Sequence, residues 1–301
     1  MIGPAPTVSI IVPFFNAAHF LREGLDSILA QTFTGWELLL VDDGSTDASR
    51  EIAEQFAVSD PSRIRTLSHP DGQNHGLPAT RNVGLRECRG EFVALLDADD
   101  VWHPDKLQEQ LALAREHPDA DMIFGRSQYW HSWNPADPEP DSIPGLAPGE
   151  RIYDPPELWK ITYPFGRFGS PCPSSLFFRR TALEAVGGFE ESFGHLVAED
   201  IALLAKIFFR FPVYVSSQCW DRYRRHDDSL WARALKDGSN ETSQEFYFQW
   251  LREYLQKNEI SDPEVLTLLH RKTWRYRRPS LYRSLRAVRS ALRPLRRWLA
   301  R

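Results

Sequence analysis

Three carboxylates fall within four residues at Asp97, Asp99 and Asp100, directly behind the apolar run Phe92–Leu96. Like charges this close repel one another and desolvate badly, so the cluster makes chemical sense against a hard divalent cation. Asp99 and Asp100 read alternatively as caps of a helix beginning near Pro104, but Asp97 lies too far upstream to share that role. A second acidic group, Asp42-Asp43-Gly44-Ser45-Thr46-Asp47, reads as a glycine turn with a capping residue or as a carboxylate, Asp43, that accepts a ring N–H of a nucleotide base. Arg81 is either a surface helix residue or a cation facing a diphosphate. Glu199 and Asp200 open a helix, where the dipole alone favours acids. A carboxylate there is also what a poorly nucleophilic sugar hydroxyl needs as a proton acceptor.

Short elements must carry these residues. Val8–Val12 is a β-branched run ended by Pro13, and Phe20, Leu21, Leu25, Ile28 and Leu29 share one helical face within Ala17–Gln31. Leu38–Val41, Ile64–Leu67 and Phe92–Leu96 are further strands, with helices after Asp47, over Thr80–Glu87 and from Pro104 to Glu116. This alternation predicts a mostly parallel sheet covered by helices on both faces. In such sheets ligands bind beyond the carboxyl ends of the strands, and the clusters Pro13–Asn16, Asp42–Asp47 and Asp97–Asp100 all follow a strand's last apolar residue. Asp119-Ala120-Asp121 precedes its strand, Met122–Phe124, so it is expected on the opposite edge as a solvated loop.

The motifs Val8–Asn16, Gln31-Thr32-Phe33, Val41–Asp47, Ala79–Asn82 and Leu96–Asp100 with Pro104, in this order, resemble the family 2 glycosyltransferases of GT-A fold over about residues 7–230. The resemblance implies a nucleotide-diphosphate sugar donor, expected to be UDP-linked, and Mg²⁺ or Mn²⁺ as cofactor. It places Asp43 at the base, Pro13 and Phe15 in the base pocket beside Asn16, Asp97 near the sugar or ribose, and Asp99 on the metal. It also implies that Asp200 is the base of an inverting displacement, that Glu199 orients it or touches the acceptor, and that His226 and Ser229 help hold the diphosphate or metal. A lone histidine is more often structural than a ligand. A sugar-nucleotide nucleotidyltransferase would share the sheet and the carboxylates, but Pro13–Asn16 lacks a glycine-rich phosphate loop with a basic residue. A non-catalytic nucleotide-sugar-binding or scaffold protein is the other alternative.

The second half is less regular. Tyr129–Pro156 is crowded with Pro, Asp, Gly and Trp and reads as a loop or a loosely paired excursion; its aromatic rings suit either a sugar-binding surface or self-anchoring to a core. Pro171–Arg179 reads as a strand entering the acceptor side. The domain reading is a catalytic domain over 1–237 (donor half about 1–100, acceptor half 101–237), a helical extension over 238–278 and a basic amphipathic tail helix over 279–301.

Charge divides the chain. Residues 271–301 hold 12 Lys/Arg and no Asp/Glu, leaving 24 basic against 41 acidic residues in 1–270, a balance of −17. An acidic body argues against nucleic acid as a partner. The tail has the pattern of a helix at an anionic membrane surface, consistent with a lipid-linked saccharide acceptor, or of a helix docked on the body or a second subunit. Three cysteines at spacings that match no metal ribbon, no apolar run of about twenty residues and no signal-peptide pattern lead to the expectation of a cytoplasmic protein, peripheral at the inner face of the cell membrane if the tail binds lipid.

Overall fold

The computed structural model describes residues 5–277; the tail reading over 279–301 lies outside the described residues. The chain divides into two compact units, residues 1–243 and 244–301.

The first unit begins with strand–helix alternation: β1 (Val8–Phe14), α1 (Leu21–Leu29), β2 (Trp36–Asp42), α2 (Ser49–Ser59), β3 (Ile64–Ser68), α3 (Leu77–Glu87) and β4 (Phe92–Leu95). A two-residue strand β5 (Val101–Trp102) and α4 (Lys106–Glu116) lead to β6 (Met122–Trp130), β7 (Arg151–Tyr153) and α5 (Glu157–Ile161). The unit is completed by β8 (Phe177–Arg179), α6 (Arg180–Ala185), α7 (Glu199–Phe208), β9 (Val213–Arg224) and α8 (Leu230–Asp237).

The sheet order is β3-β2-β1-β4-β8-β6-β9-β5, with β7 paired to β9. The pairings β1/β2, β1/β4, β2/β3 and β6/β9 are parallel, and β8 joins β4 to β6 antiparallel on both sides. Strands β1, β2, β3, β4, β6 and β9 therefore point the same way, the mostly parallel sheet the sequence predicts. Val8, Ile10, Val12, Leu38, Leu40, Ala94 and Leu96 are buried on one face with Leu21, Leu25 and Ile28 of α1, and Ile11, Leu39, Val41, Val93 and Leu95 are fully buried on the other, which explains why these strands are apolar without alternation.

Pro13 does not end β1, as its place in the sequence suggests; the strand runs to Phe14, pairing Pro13 with Val41. The reason is register. Ile11 accepts from the Leu96 amide on the β4 side while Phe14 accepts from Asp43 on the β2 side, so Pro13 faces β4, whose ladder has ended at Leu95. No ladder hydrogen bond is lost there.

Pro171–Arg179 is likewise not one strand: a 3₁₀ turn over Pro173–Ser175 precedes β8. The excursion after β6 is anchored by Asp141, whose carboxylate accepts from the amides of His131 and Ser132 and from the side chains of Ser132 and Gln128.

Helices α9 (Ser239–Lys257) and α10 (Pro263–Arg277) follow. Tyr247, Phe248, Leu251, Leu255, Val265 and Leu269 are buried, the apolar stripe expected of amphipathic helices. No helix among the described residues is long and apolar enough to cross a membrane.

Candidate active site

A cavity of about 750 Å³ opens at the carboxyl ends of β1, β2 and β4. Pro13, Phe15, Asn16, Asp43, Asp97, Asp99, Glu199, Asp200, His226 and Ser229 all line it, so the topology gathers every expected site residue except Arg81.

The loops after β1, β2 and β3 are tied by side chains. Asn16, at φ 49, accepts the Thr46 amide on Oδ1 at 2.8 Å and donates its own amide to Ser45 Oγ at 3.1 Å, stitching the turn after β1 to the turn after β2. Asp43 is buried, and its oxygens accept the amides of His75 (2.8 Å) and Gly76 (3.1 Å). Its carboxylate thus holds the loop before α3 as well as standing on the cavity wall. Gly76 must be glycine on two grounds: its φ is +88°, and a Cβ would stand 2.3 Å from the Gly194 carbonyl oxygen.

The turn after β4 is fixed from below. The Asp97 amide donates to Ser174 Oγ (3.1 Å), and the same hydroxyl donates to Asp100 Oδ2 (2.6 Å). Asp100 Oδ1 accepts the Arg224 amide (2.9 Å), while Arg224 Nε donates to the Asp99 carbonyl (2.7 Å). Asp100 is therefore a buried strut. It is no helix cap, since the residue at the start of α4 is Asp105. Ser174 and Arg224 escape a reading by residue type, because a serine after proline and an arginine at the end of a strand carry no signal until the chain is folded.

Arg81, expected to face a diphosphate, lies behind the wall at 0 % exposure. It donates to Asp97 Oδ1 (2.5 Å) and to Glu199 Oε1 (2.7 Å), joining the carboxylate after β4 to the one that opens α7. Burial alone would lower its pKa; Asp97 and Glu199 outweigh that and hold it charged.

Two groups face the cavity with chemistry to offer. His226 Nε2 lies 2.9 Å from Asp99 Oδ2, and its Nδ1 is buried without a partner. Adjacent ligands of an octahedral ion with bonds of about 2.1 Å stand roughly 3 Å apart, so this pair fits one edge of a Mg²⁺ or Mn²⁺ coordination shell. Among the described residues no set of three His, Cys, Asp or Glu side chains converges on one point. A cation here would draw its remaining ligands from substrate oxygens and water, the usual habit of Mg²⁺. Burial and neighbouring carboxylates raise the pKa of both Asp97 and Asp100, the electrostatic problem a cation relieves.

Asp200 sits in the first turn of α7 behind Ala198, which has φ 82. Among the described residues its side chain accepts only the Ile201 amide (2.8 Å). Burial and the neighbouring Glu199 carboxylate push its pKa up to about 7, against the pull of Arg81. Ser229 is occupied as the cap of α8: its Oγ accepts the Ala232 amide and donates to the His226 carbonyl, which fixes the backbone that carries the histidine.

Known proteins resemble this chain in sequence and in fold. The family model described as "Glycosyl transferase family 2" matches residues 9–187. A Bacillus subtilis protein named as a candidate teichuronic acid biosynthesis glycosyltransferase, TuaG, is 36 % identical over 132 residues, covering 44 % of this chain and 51 % of that protein. The Escherichia coli UDP-Glc:alpha-D-GlcNAc-diphosphoundecaprenol beta-1,3-glucosyltransferase WfgD is 39 % identical over 106 residues, 35 % of this chain and 40 % of WfgD. The chain thus spans about half or less of the length of these curated relatives.

Among solved structures, Pyrobaculum calidifontis mannosyltransferase PcManGT in complex with GDP-Man and Mn²⁺ superposes with a TM-score of 0.61 at 18 % identity, covering 98 % of this chain and 84 % of that one. Staphylococcus aureus TarS 1-349 with UDP-GlcNAc gives 0.58 at 18 % identity, covering 83 % and 73 %. At such identities the likeness establishes the fold alone. With the matched model spanning more than half its length, the chain belongs to glycosyl transferase family 2.

Proposed function

We propose that the protein is an inverting, divalent-metal-dependent glycosyltransferase that moves a sugar from a nucleotide-diphosphate donor, UDP-linked, to a saccharide or lipid-linked saccharide acceptor in cell-surface polysaccharide synthesis. The observation that carries this reading is Asp200: an aspartate on the cavity wall with one bond from its own helix, a pKa near 7, and Asp99 and His226 in the same cavity.

In the reaction Asp200 accepts the proton of the acceptor hydroxyl while that oxygen bonds to the anomeric carbon. The carbon–oxygen bond to the diphosphate breaks on the opposite face, the configuration inverts, and the nucleoside diphosphate leaves. Glu199, held by Arg81, keeps the first turn of α7 in place beside Asp97. Asp99 and His226 would hold Mg²⁺ or Mn²⁺, which would supply positive charge against the departing diphosphate. The names of TuaG and WfgD support the cell-surface setting and WfgD the UDP donor, while PcManGT and TarS support a nucleotide-sugar ligand. The purified protein incubated with Mn²⁺ and a panel of UDP- and GDP-sugars should release nucleoside diphosphate from one of them and transfer its sugar; binding without turnover across acceptors would leave a nucleotide-sugar-binding protein.

A further inference from the structure

We infer that Trp133 is a positioning residue for His226: the tryptophan-rich excursion after β6 orients the histidine by packing, where a hydrogen bond would ordinarily do so. This rests on the glycosyltransferase reading, in which Asp99 and His226 hold the cation, and it gives the excursion a role in that site.

A histidine that ligates through one ring nitrogen almost always donates its other N–H to a carboxylate, a carbonyl or water, which fixes the tautomer and the ring plane. His226 lacks that second tie. Its Nε2 stands 2.9 Å from Asp99 Oδ2, and its Nδ1 is buried with no hydrogen-bond partner among the described residues. One hydrogen bond fixes one atom of a ring and leaves its plane free, so packing must supply the rest. Two aromatic rings do. The Phe20 centroid lies 4.7 Å from that of His226, and Trp133 stands edge-on at 6.4 Å with the planes at 90°. Phe20 and Trp133 also meet each other edge to face at 5.5 Å, so the three rings form one closed cluster.

Trp133 is itself held at both ends. Its Nε1–H donates to the Arg225 carbonyl (2.9 Å), one residue before His226. The turn that carries it is tied by Asp141, which accepts the amides of His131 and Ser132, and by Tyr129 and Ser142, which exchange backbone hydrogen bonds of 2.7 and 3.1 Å. The same rings reach the support of Asp99. Arg224, whose Nε donates to the Asp99 carbonyl, has its guanidinium carbon 4.4 Å from the Trp130 centroid, 4.9 Å from Phe20 and 5.1 Å from Trp133. Among the described residues that line the cavity are Phe20 and Tyr129, but neither Trp130 nor Trp133. Of the two roles open to the tryptophans of the excursion, a sugar platform and an anchor, the geometry supports the anchor.

Electron paramagnetic resonance of Mn²⁺ with the full chain at saturating UDP tests this without turnover. Trp133→Leu should weaken Mn²⁺ binding about tenfold. Added to His226→Ala, the same change should cost less than about twofold more, because no histidine remains to be oriented and Phe20 and Trp130 still cover Arg224. Trp133→Phe keeps a ring and loses the Nε1–H donor; it should weaken Mn²⁺ by a smaller factor, and it runs the same cycle if the leucine variant does not fold. Wild-type Mn²⁺ affinity in Trp133→Leu would overturn the inference. So would a tenfold loss that persists in the His226→Ala background, which marks a general loosening of the fold. A wild-type protein that binds neither UDP nor Mn²⁺ would instead sink the glycosyltransferase reading, and the role of Trp133 with it.

Discussion

His226 and Asp99, 127 residues apart in the chain, meet with Nε2 and Oδ2 2.9 Å from each other. The contact closes β9 onto the turn after β4. His226→Ala and Asp99→Asn should each weaken Mn²⁺ binding in the presence of UDP by about tenfold or more, as loss of one of the two proposed protein ligands requires. Electron paramagnetic resonance of Mn²⁺ measures this without turnover; unchanged Mn²⁺ affinity in both variants would remove the pair from the metal site.

As the proposed base, Asp200 should link activity to pH. With its pKa near 7 it is largely protonated in mild acid, and only the carboxylate accepts a proton. The rate constant kcat should therefore fall about tenfold per pH unit below roughly pH 7 and level off above it. Asp200→Asn should abolish transfer with donor affinity retained.

The same residue should lower stability. Its folded pKa lies above the ordinary aspartate value, so the native state binds the proton more tightly than the unfolded chain does. Stability contributed by Asp200 is then present below the ordinary value and lost as pH rises to about 7. Asp200→Asn removes that loss and should raise Tm at pH 8 by a few degrees, about 2–4 °C per kcal/mol, with a smaller difference at pH 5. An equal or lower Tm in the variant at pH 8 counts against the buried, proton-hungry carboxylate.

The first half of the fold is legible because β1 to β4 repeat one physical rule: an apolar strand, a polar turn, an amphipathic helix. Asp43, Asp97 and Asp99 are readable for the same reason, since a turn after a buried strand has one place to go. Beyond β6 the chain breaks the rule. Its strands pair by long returns, as β8 does with β4, and Phe177–Arg179 is too short to show a period. Arg81 is misread in direction rather than importance: spacing brings it to the right sheet edge but cannot tell that Asp97 and Glu199 will enclose it. Ser174 is invisible for a related reason, because its role depends on Asp97 and Asp100 arriving from 74 and more residues away.

Arg81 should behave as a structural cation. Its guanidinium is fully buried between Asp97 and Glu199, so Arg81→Met leaves two carboxylates buried without their countercharge. Breaking one partner out of such a cluster costs on the order of 3–5 kcal/mol. Denaturant unfolding should show that loss, and a variant of near wild-type stability would reassign Arg81 to substrate.

Ser174 is the last test, since one hydroxyl ties the two acidic positions that flank Asp99. It accepts the Asp97 amide and donates to Asp100 Oδ2, while Arg224 fixes the Asp99 carbonyl between them. Ser174→Ala removes both bonds without adding bulk and leaves the buried Asp100 short of a donor, a cost of about 1–3 kcal/mol. The turn that presents Asp99 should then loosen, so the variant should bind Mn²⁺ and UDP more weakly together than either alone. Ser174→Thr keeps the hydroxyl and should recover most of the coupling if the added methyl fits. Titrating Mn²⁺ at zero and saturating UDP measures that coupling directly, and an alanine variant with wild-type coupling would show that Asp99 is held by Arg224 alone.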